Sequence, residues 1–174
     1  MRKLIIFSIF LLFVDAALAC SCMGSPKEKQ LEYADVVFLG IAKNSGSITT
    51  TEKIGPREYT GTKNETSFSV EEVFKGQLKP SFKIYSEEDS AACGVNFKEG
   101  KTYIVFAYYT EEGRHPSPQP VGELATDSCT MTFEVEKDRS RLNTQESDLI
   151  DFLRSGVNKH NQAQKEDANK DSAS

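Results

Sequence analysis

Short apolar runs, separated by polar turn segments, recur between residues 36 and 135 of the sequence. The runs are rich in β-branched and aromatic residues, which favours β-strands over helices of the same length. The predicted strands cover residues 36–42, 66–74, 82–85, 102–110, 123–125 and 130–135. Five or six short strands of this kind predict a small closed or partly closed β-barrel, although a sandwich would have the same periodicity.

Helical signals lie on both sides of the predicted strands. Residues 25–28 (SPKE) have a capping-box pattern with Pro26 at the first helical position, which predicts a short helix to about residue 33. Asn143 or Thr144 can cap a second helix, which would end at Gly156.

Two polar segments have no apolar periodicity. Residues 43–65 are rich in Thr, Gly and Lys, and we expect a hairpin or a mobile loop there. Asn64-Glu65-Thr66 in this segment matches the N-glycosylation acceptor pattern, and a glycan would fit in a polar loop. Residues 157–174 have almost no large apolar side chain, which predicts a disordered tail.

The first 19 residues have the pattern of a secretory signal peptide. Two basic residues precede an apolar run over residues 4–14, and residues 17–19 (ALA) form an A-x-A cleavage site. The run is shorter than the roughly 20 residues of a membrane span. Cleavage after Ala19 would make Cys20 the mature N-terminus. The same residues also resemble a bacterial lipobox, so a lipid anchor on Cys20 is the alternative, and only in that case would the chain contact a membrane.

Composition narrows the class of protein. The chain has 174 residues and a formal net charge of -5, which suits a single globular domain and disfavours nucleic acid as a partner. The sequence contains no phosphate-binding loop, dinucleotide fingerprint or nucleophile elbow, so we expect neither an enzyme nor a cofactor. The predicted organisation is a signal peptide over 1–19, a barrel domain over 20–136, a helical extension over 137–156 and a polar tail over 157–174.

The four cysteines are Cys20, Cys22, Cys93 and Cys129, an even number that predicts two disulfides in an exported protein. A bond between cysteines only two positions apart is strained. Cys20 and Cys22 should therefore each pair with a distant cysteine, and both connectivities are open. Either one would hold the N-terminus against two distant parts of the chain.

A fixed N-terminal cysteine carries a specific chemistry. Its α-amine has a pKa of roughly 8, so the neutral form is accessible and can act as a metal ligand. Together with the neighbouring carbonyl it could chelate a zinc ion in another protein, because catalytic zinc keeps an open coordination position. The acidic run at residues 87–89 could bind a cation or raise the pKa of this amine, although such a run is more commonly a solvated surface.

Five short motifs can be compared with known families. Three contain the cysteines, namely Cys20-Ser21-Cys22 after the cleavage site, residues 92–94 (ACG) and residues 128–129 (SC), and two do not, namely residues 35–40 (DVVFLG) and 73–76 (VFKG). Together they resemble the inhibitory domain of the tissue inhibitors of metalloproteinases, which are netrin-like modules. The resemblance covers residues 20–135 and implies a mainly β, OB-fold-like five-stranded Greek-key barrel with short flanking helices. The third disulfide of that domain and the cysteine-rich second domain of animal members are absent, which would suit a single-domain, bacterial member.

The resemblance also implies roles for individual residues. It selects the pairing Cys20–Cys93 and Cys22–Cys129, and it makes Cys20 the ligand of the protease zinc through its α-amine and carbonyl. The side chain of Ser21 would enter the main specificity pocket of the protease. The protease-binding residues would be the N-terminal wedge and a second contact strip: Cys20, Ser21, Cys22, Met23, Gly24, Ala91 and Ala92.

The function implied by the resemblance is inhibition of zinc metalloendopeptidases by a secreted, monomeric protein. In a bacterium, the protein would be periplasmic or held at the cell envelope. The alternative is a netrin-like module that binds other proteins without inhibiting them, either secreted or lipid-anchored at the cell envelope.

Overall fold

Six strands, two α-helices and one 3-10 turn make up the described part of the chain in a computed structural model. The structure describes residues 20, 22, 24–54, 56–79, 82–111, 122–136, 138 and 142–156. In chain order the elements are α1 (Lys27–Tyr33), β1 (Val36–Ile54), β2 (Arg57–Lys75), β3 (Lys83–Glu87), the 3-10 turn (Ser90–Ala92), β4 (Thr102–Tyr109), β5 (Leu124–Ala125), β6 (Phe133–Val135) and α2 (residues 144–156). The signal peptide and the polar tail predicted from the sequence lie outside the described residues.

Five of the strands close into a ring. β1 pairs antiparallel with both β2 and β4, β2 with β3, and β4 with β5, while β3 and β5 run parallel. β6 adds to β4 on the same edge as β5, at the other end of that strand. The fold is therefore a closed, mainly β barrel of the OB type, which confirms the barrel and excludes the sandwich.

The two strongest apolar runs are central strands with both faces buried. Val36 and Phe38 point into the barrel, where they meet residues from the other four strands of the ring. Val37 and Leu39 point outward into a second apolar cluster, which Leu149 and other residues of α2 help to cover. Because the first part of β1, residues 36–42, and β4 are covered on both sides, their sequences are continuously apolar instead of alternating.

The segment from β5 to β6 is one strand interrupted opposite the middle of β4. At the interruption, the amide of Phe106 donates to the hydroxyl of Thr132 (2.9 Å), and the hydroxyl of Thr126 donates to the Phe106 carbonyl (2.8 Å). The two threonine hydroxyls thus replace the backbone partners that a continuous strand would supply. The residues between them are free to form a loop, and this loop contains Cys129.

The described residues of the polar segment 43–65 lie in an antiparallel hairpin of β1 and β2, which confirms the hairpin and excludes the mobile loop. β1 and β2 stay paired to their ends at Ile54 and Arg57, and residues 49–54 pair only with residues 57–62 among the described residues. We call these two stretches the ribbon. Most of its side chains outside residues 52–54 are at least partly exposed, so it has no apolar face from which periodicity could predict a strand.

The two helices differ in how they begin. The capping box predicted at Ser25 does not form, because Pro26 is the N-cap of α1 and makes no side-chain capping bond. In α2 the box is complete: the Asn143 side chain accepts from the amide of Glu146, and the Glu146 carboxylate accepts from the amide of Asn143, both at 2.9 Å. Among the described residues, neither helix has the length and apolar character needed to cross a membrane.

Replacement of Leu153 by alanine tests whether α2 is part of the fold. This side chain is only 1% exposed in the outer cluster, so its truncation should lower the free energy of unfolding by about 2–5 kcal/mol. Urea unfolding followed by circular dichroism measures the change. Asp151→Ala is the matched control on the exposed side of the same helix and should change it by about 0.5 kcal/mol or less. Equal midpoints for the two variants would mean that α2 does not pack on the barrel.

Candidate functional site

The parallel pairing of β3 and β5 brings two loops to the same end of the barrel. Ile84 lies beside Leu124 and Tyr85 beside Ala125, and the amide of Thr126 donates to the Tyr85 carbonyl (2.9 Å). Because both strands run in the same direction, the chain leaves both of them at one end. The loop over residues 88–96 follows β3, the loop over residues 127–131 follows β5, and each contains a cysteine.

The 88–96 loop is held tightly by its own hydrogen bonds. The carboxylate of Asp89 accepts a hydrogen bond from the amide of Ala92 (2.9 Å). The backbone carbonyl of Asp89 accepts one from the amide of Gly94 (2.7 Å). Cys93 adopts a left-handed backbone with φ of 64°. Residue 94 must be glycine here, since a Cβ at that position would lie 2.3 Å from the Glu87 carbonyl oxygen. These constraints leave Ala92 exposed and turn Cys93 toward the second loop.

The 127–131 loop is fixed in the same way and is bonded to the first. One carboxylate oxygen of Asp127 accepts from the amides of Cys129 (2.8 Å) and Thr130 (3.0 Å). The Gln30 side chain of α1 donates to the Cys129 carbonyl (3.1 Å). The amide of Ser128 donates to the carbonyl of Cys93 (2.8 Å), so the two loops form one platform, defined here as residues 88–96 and 127–131.

The N-terminal segment is attached to this platform by two disulfides. Cys20 is bonded to Cys93 and Cys22 to Cys129, which is the pairing implied by the resemblance. The Cα–Cα distances are 5.2 Å and 5.0 Å, in the usual range for disulfides. The four sulfur atoms lie within 4.8 Å of one another, and among the described residues they are the one His, Cys, Asp or Glu group that converges closely enough to hold a metal ion. Because all four sulfur atoms are in disulfides, none is a thiolate that could bind a metal ion. The four cysteines therefore serve as crosslinks between the N-terminal segment and the platform.

The other predicted contact residues are distributed around these crosslinks. Ala91 and Ala92 are exposed in the 3-10 turn directly before Cys93, the partner of Cys20, and their role as a second contact strip stays a prediction. Gly24 is exposed, with open space around its Cα. Ser21 and Met23 lie outside the described residues.

The acidic run at residues 87–89 is used within the fold. Glu87 forms an ion pair with Lys63, whose side chain is fully buried, and Asp89 caps the 3-10 turn. The third member, Glu88, is exposed. Neither interpretation made from the sequence, a cation site or a solvated surface, anticipated the buried lysine, because a single Lys in a polar stretch gives no sign of its burial.

A second charged cluster stabilises the outer side of β2 and β3. Burial by itself would raise the pKa of Glu65, but hydrogen bonds from Lys83 (2.6 Å) and Tyr85 (2.9 Å) outweigh it and lower this pKa below its ordinary value. Burial of the Tyr85 hydroxyl and its hydrogen bond to Glu65 raise the pKa of Tyr85. This cluster fixes the β2–β3 pairing just before the chain enters the 88–96 loop.

Asn64 lies in β2 and not in a polar loop, which corrects the expectation that a glycan would fit there. Its side-chain amide nitrogen donates to the carbonyls of Glu87 and Glu88, both at 3.1 Å, and to the side-chain oxygen of Asn96 at 2.9 Å. Sequence interpretation missed this contact. The neighbouring threonines, Thr62 and Thr66, could have indicated a strand at Asn64, but no local signal points to the 88–96 loop.

Comparison with known proteins identifies the family. A protein from Margaritifera margaritifera named NTR domain-containing protein is 30% identical to this chain over 117 residues, which cover 64% of this chain and 73% of that protein. The chain belongs to the NTR-domain, or netrin-like, family. No family model matches the sequence.

The NTR domain described here therefore combines an OB-type barrel with two disulfides at one end of it. Both crosslinks attach the same short stretch of chain, at residues 20 and 22. Among the described residues next to the crosslinks, the exposed ones are Cys22, Ser90, Ala91, Ala92 and Ser128.

The ion pair below the platform gives a stability prediction. Glu87→Ala removes the carboxylate from the fully buried ammonium of Lys63 and should lower the free energy of unfolding by about 3 kcal/mol. Lys83→Ala is the matched control, because this ammonium is half exposed and its pairing with Glu65 should contribute about 0–1 kcal/mol. Thermal unfolding of both variants measures the difference. Equal losses would contradict a buried role for Lys63.

Proposed function

We propose that this NTR-domain protein is a secreted inhibitor of zinc metalloendopeptidases. The observation that carries the proposal is the double attachment of residues 20–22 to the platform, beside the exposed Ala91-Ala92 strip. Export would remove residues 1–19 and leave Cys20 with a free α-amine. An extracellular location agrees with the two disulfides and with membership of the NTR family.

The chemistry follows from the position of the Cys20 amine. When neutral, the amine nitrogen and the Cys20 carbonyl oxygen can occupy coordination positions of a protease zinc that water holds in the free enzyme. Ser21 would then enter the specificity pocket next to the zinc, and Met23 and Gly24 would continue along the cleft. Such an inhibitor would occupy the cleft without offering a bond that the protease can cut, since export would leave no peptide bond on the N-terminal side of Cys20.

Rigidity explains why so short a segment could bind tightly. A free peptide loses conformational entropy when it enters a cleft, whereas a segment already fixed loses little. Each disulfide here closes a loop of 73 or 107 residues, and such crosslinks stabilise a fold by about 4–5 kcal/mol in the chain-entropy model. The energetic cost of ordering the N-terminus is therefore met during folding and not during binding. Such a protein acts as a monomer by binding and needs neither a catalytic group nor a cofactor of its own.

The free amine is the requirement that is simplest to test. Mature protein beginning at Cys20 should inhibit a panel of zinc endopeptidases, and protein with one additional alanine before Cys20 should lose inhibition by at least on the order of 100-fold, because the amine becomes an amide and the addition collides with the zinc site. Inhibition constants measured with a fluorogenic peptide substrate give the comparison.

The matched control has the additional alanine after Ser174 and should inhibit like the mature protein. Mass spectrometry must show both disulfides in all three proteins. Undiminished inhibition by the N-terminally extended form would refute zinc chelation by the amine.

A non-inhibitory binding module is the second candidate, and the ribbon favours it. Residues 49–54 and 57–62 extend beyond the ring of strands and expose backbone edges together with the side chain of Tyr59. Binding of such a partner would be lost in a variant in which a short turn joins residue 50 directly to residue 61. It would be kept in the variant with an additional alanine before Cys20. The proposed inhibitor shows the reverse dependence.

A further inference from the structure

The side chain of Asn64 joins β2 to both ends of the 88–96 loop. Its amide nitrogen donates to the carbonyls of Glu87 and Glu88 where the loop begins, and to the side-chain oxygen of Asn96 where the loop ends. One side chain therefore sets the distance between the two ends of the loop. The residues between these ends include Ala91, Ala92 and Cys93.

Among the described residues, one apolar side chain of the loop packs on the barrel: Val95, which lies against the inner apolar cluster close to the end at Asn96. The side chains of Ala91 and Ala92 are exposed, and Cys93 is half buried. The internal bonds to Asp89 shape the turn but do not attach it to the barrel. Beyond the packing of Val95, attachment comes from the Asn64 amide, from the bond between the Val95 amide and the Ser86 hydroxyl (2.6 Å), and from the bond to the neighbouring loop through Ser128.

Glycosylation would be incompatible with this role. Asn64 begins the acceptor pattern Asn64-Glu65-Thr66, and a glycan would replace one of the two amide hydrogens that serve three acceptors. Thr66, the third residue of the pattern, is fully buried and its hydroxyl bonds to that of Ser45 (2.8 Å). The folded strand thus closes the acceptor site on both sides.

We propose that Asn64 is a positioning residue, which holds the Ala91–Cys93 strip in place and thereby sets the position of the Cys20 amine. Its contribution to inhibition rests on the function proposed above, whereas its contribution to loop order does not. Asn64 itself does not touch the protease. The folded, secreted protein carries no glycan on Asn64.

The variant Asn64→Asp tests this role because it keeps the shape of the side chain and removes both donor hydrogens. A carboxylate would face three acceptor oxygens, so the loop should move away from β2. Hydrogen exchange of the amides of Ala92, Gly94 and Val95 should become at least on the order of tenfold faster, while amides of β1 and β4 keep their protection. The inhibition constant should rise on the order of tenfold or more, through faster dissociation.

Ser47→Ala is the matched control. The Ser47 hydroxyl donates to the side-chain oxygen of Asn64 (3.4 Å), so its removal disturbs the same residue but none of the three bonds to the loop. This variant should exchange and inhibit like the parent protein. If Asn64→Asp does not fold, Asn96→Ala removes one of the three acceptors and should accelerate exchange at Val95 alone by a smaller factor.

The outcomes separate the two proposals. Parent protein that inhibits, together with an Asn64→Asp variant of unchanged exchange and inhibition, would overturn the positioning role and leave the inhibitor intact. Parent protein that fails to inhibit would remove the proposed function, and hydrogen exchange alone would then decide the role of Asn64. A glycan found on Asn64 of folded protein from a glycosylating host, with normal exchange in the loop, would also overturn the inference.

Discussion

The parallel contact between β3 and β5 is the interaction on which both the barrel and the candidate site depend. It closes the ring of strands, and it is short, joining Ile84 and Tyr85 to Leu124 and Ala125. A parallel pair places the C-terminal ends of its strands together, so the loops that follow must lie side by side. If β5 ran the other way, Cys93 and Cys129 would be at opposite ends of the barrel, and one N-terminal segment could not reach both.

The loops convert this proximity into a defined geometry largely through polar groups, with Val95 and Met131 packed against the apolar clusters at their ends. Asp89 and Asp127 each use a carboxylate to organise the backbone of a tight turn, and the two turns are joined through Ser128 and Cys93. Polar groups can do this at the protein surface because each donor already has an acceptor in the turn, so little is lost to competing water. The alanine side chains between them remain free for contact with a partner.

The sequence predicted the strands that have a buried face and missed what depends on partners far along the chain. Residues 36–42 and 102–110 were assigned correctly because burial on both faces leaves a continuous apolar run, the strongest signal available. The ribbon lacks any apolar face, so its strands gave no periodic signal. The buried Lys63 depends on a carboxylate 24 residues away, and local patterns contain no such information. The capping box was formed at Asn143 but not at Ser25, where Pro26 takes the cap position instead.

Sequence separation also orders the steps by which the site is assembled. The β1–β2 pairing is local, and Asn64 contacts the 88–96 loop across 23 to 32 residues, whereas the disulfides join residues 73 and 107 positions apart. Contacts that close short loops cost less entropy and tend to form earlier than those that close long ones. We therefore expect the loop that receives Cys20 to be shaped by its own bonds and by Asn64 before the disulfides close.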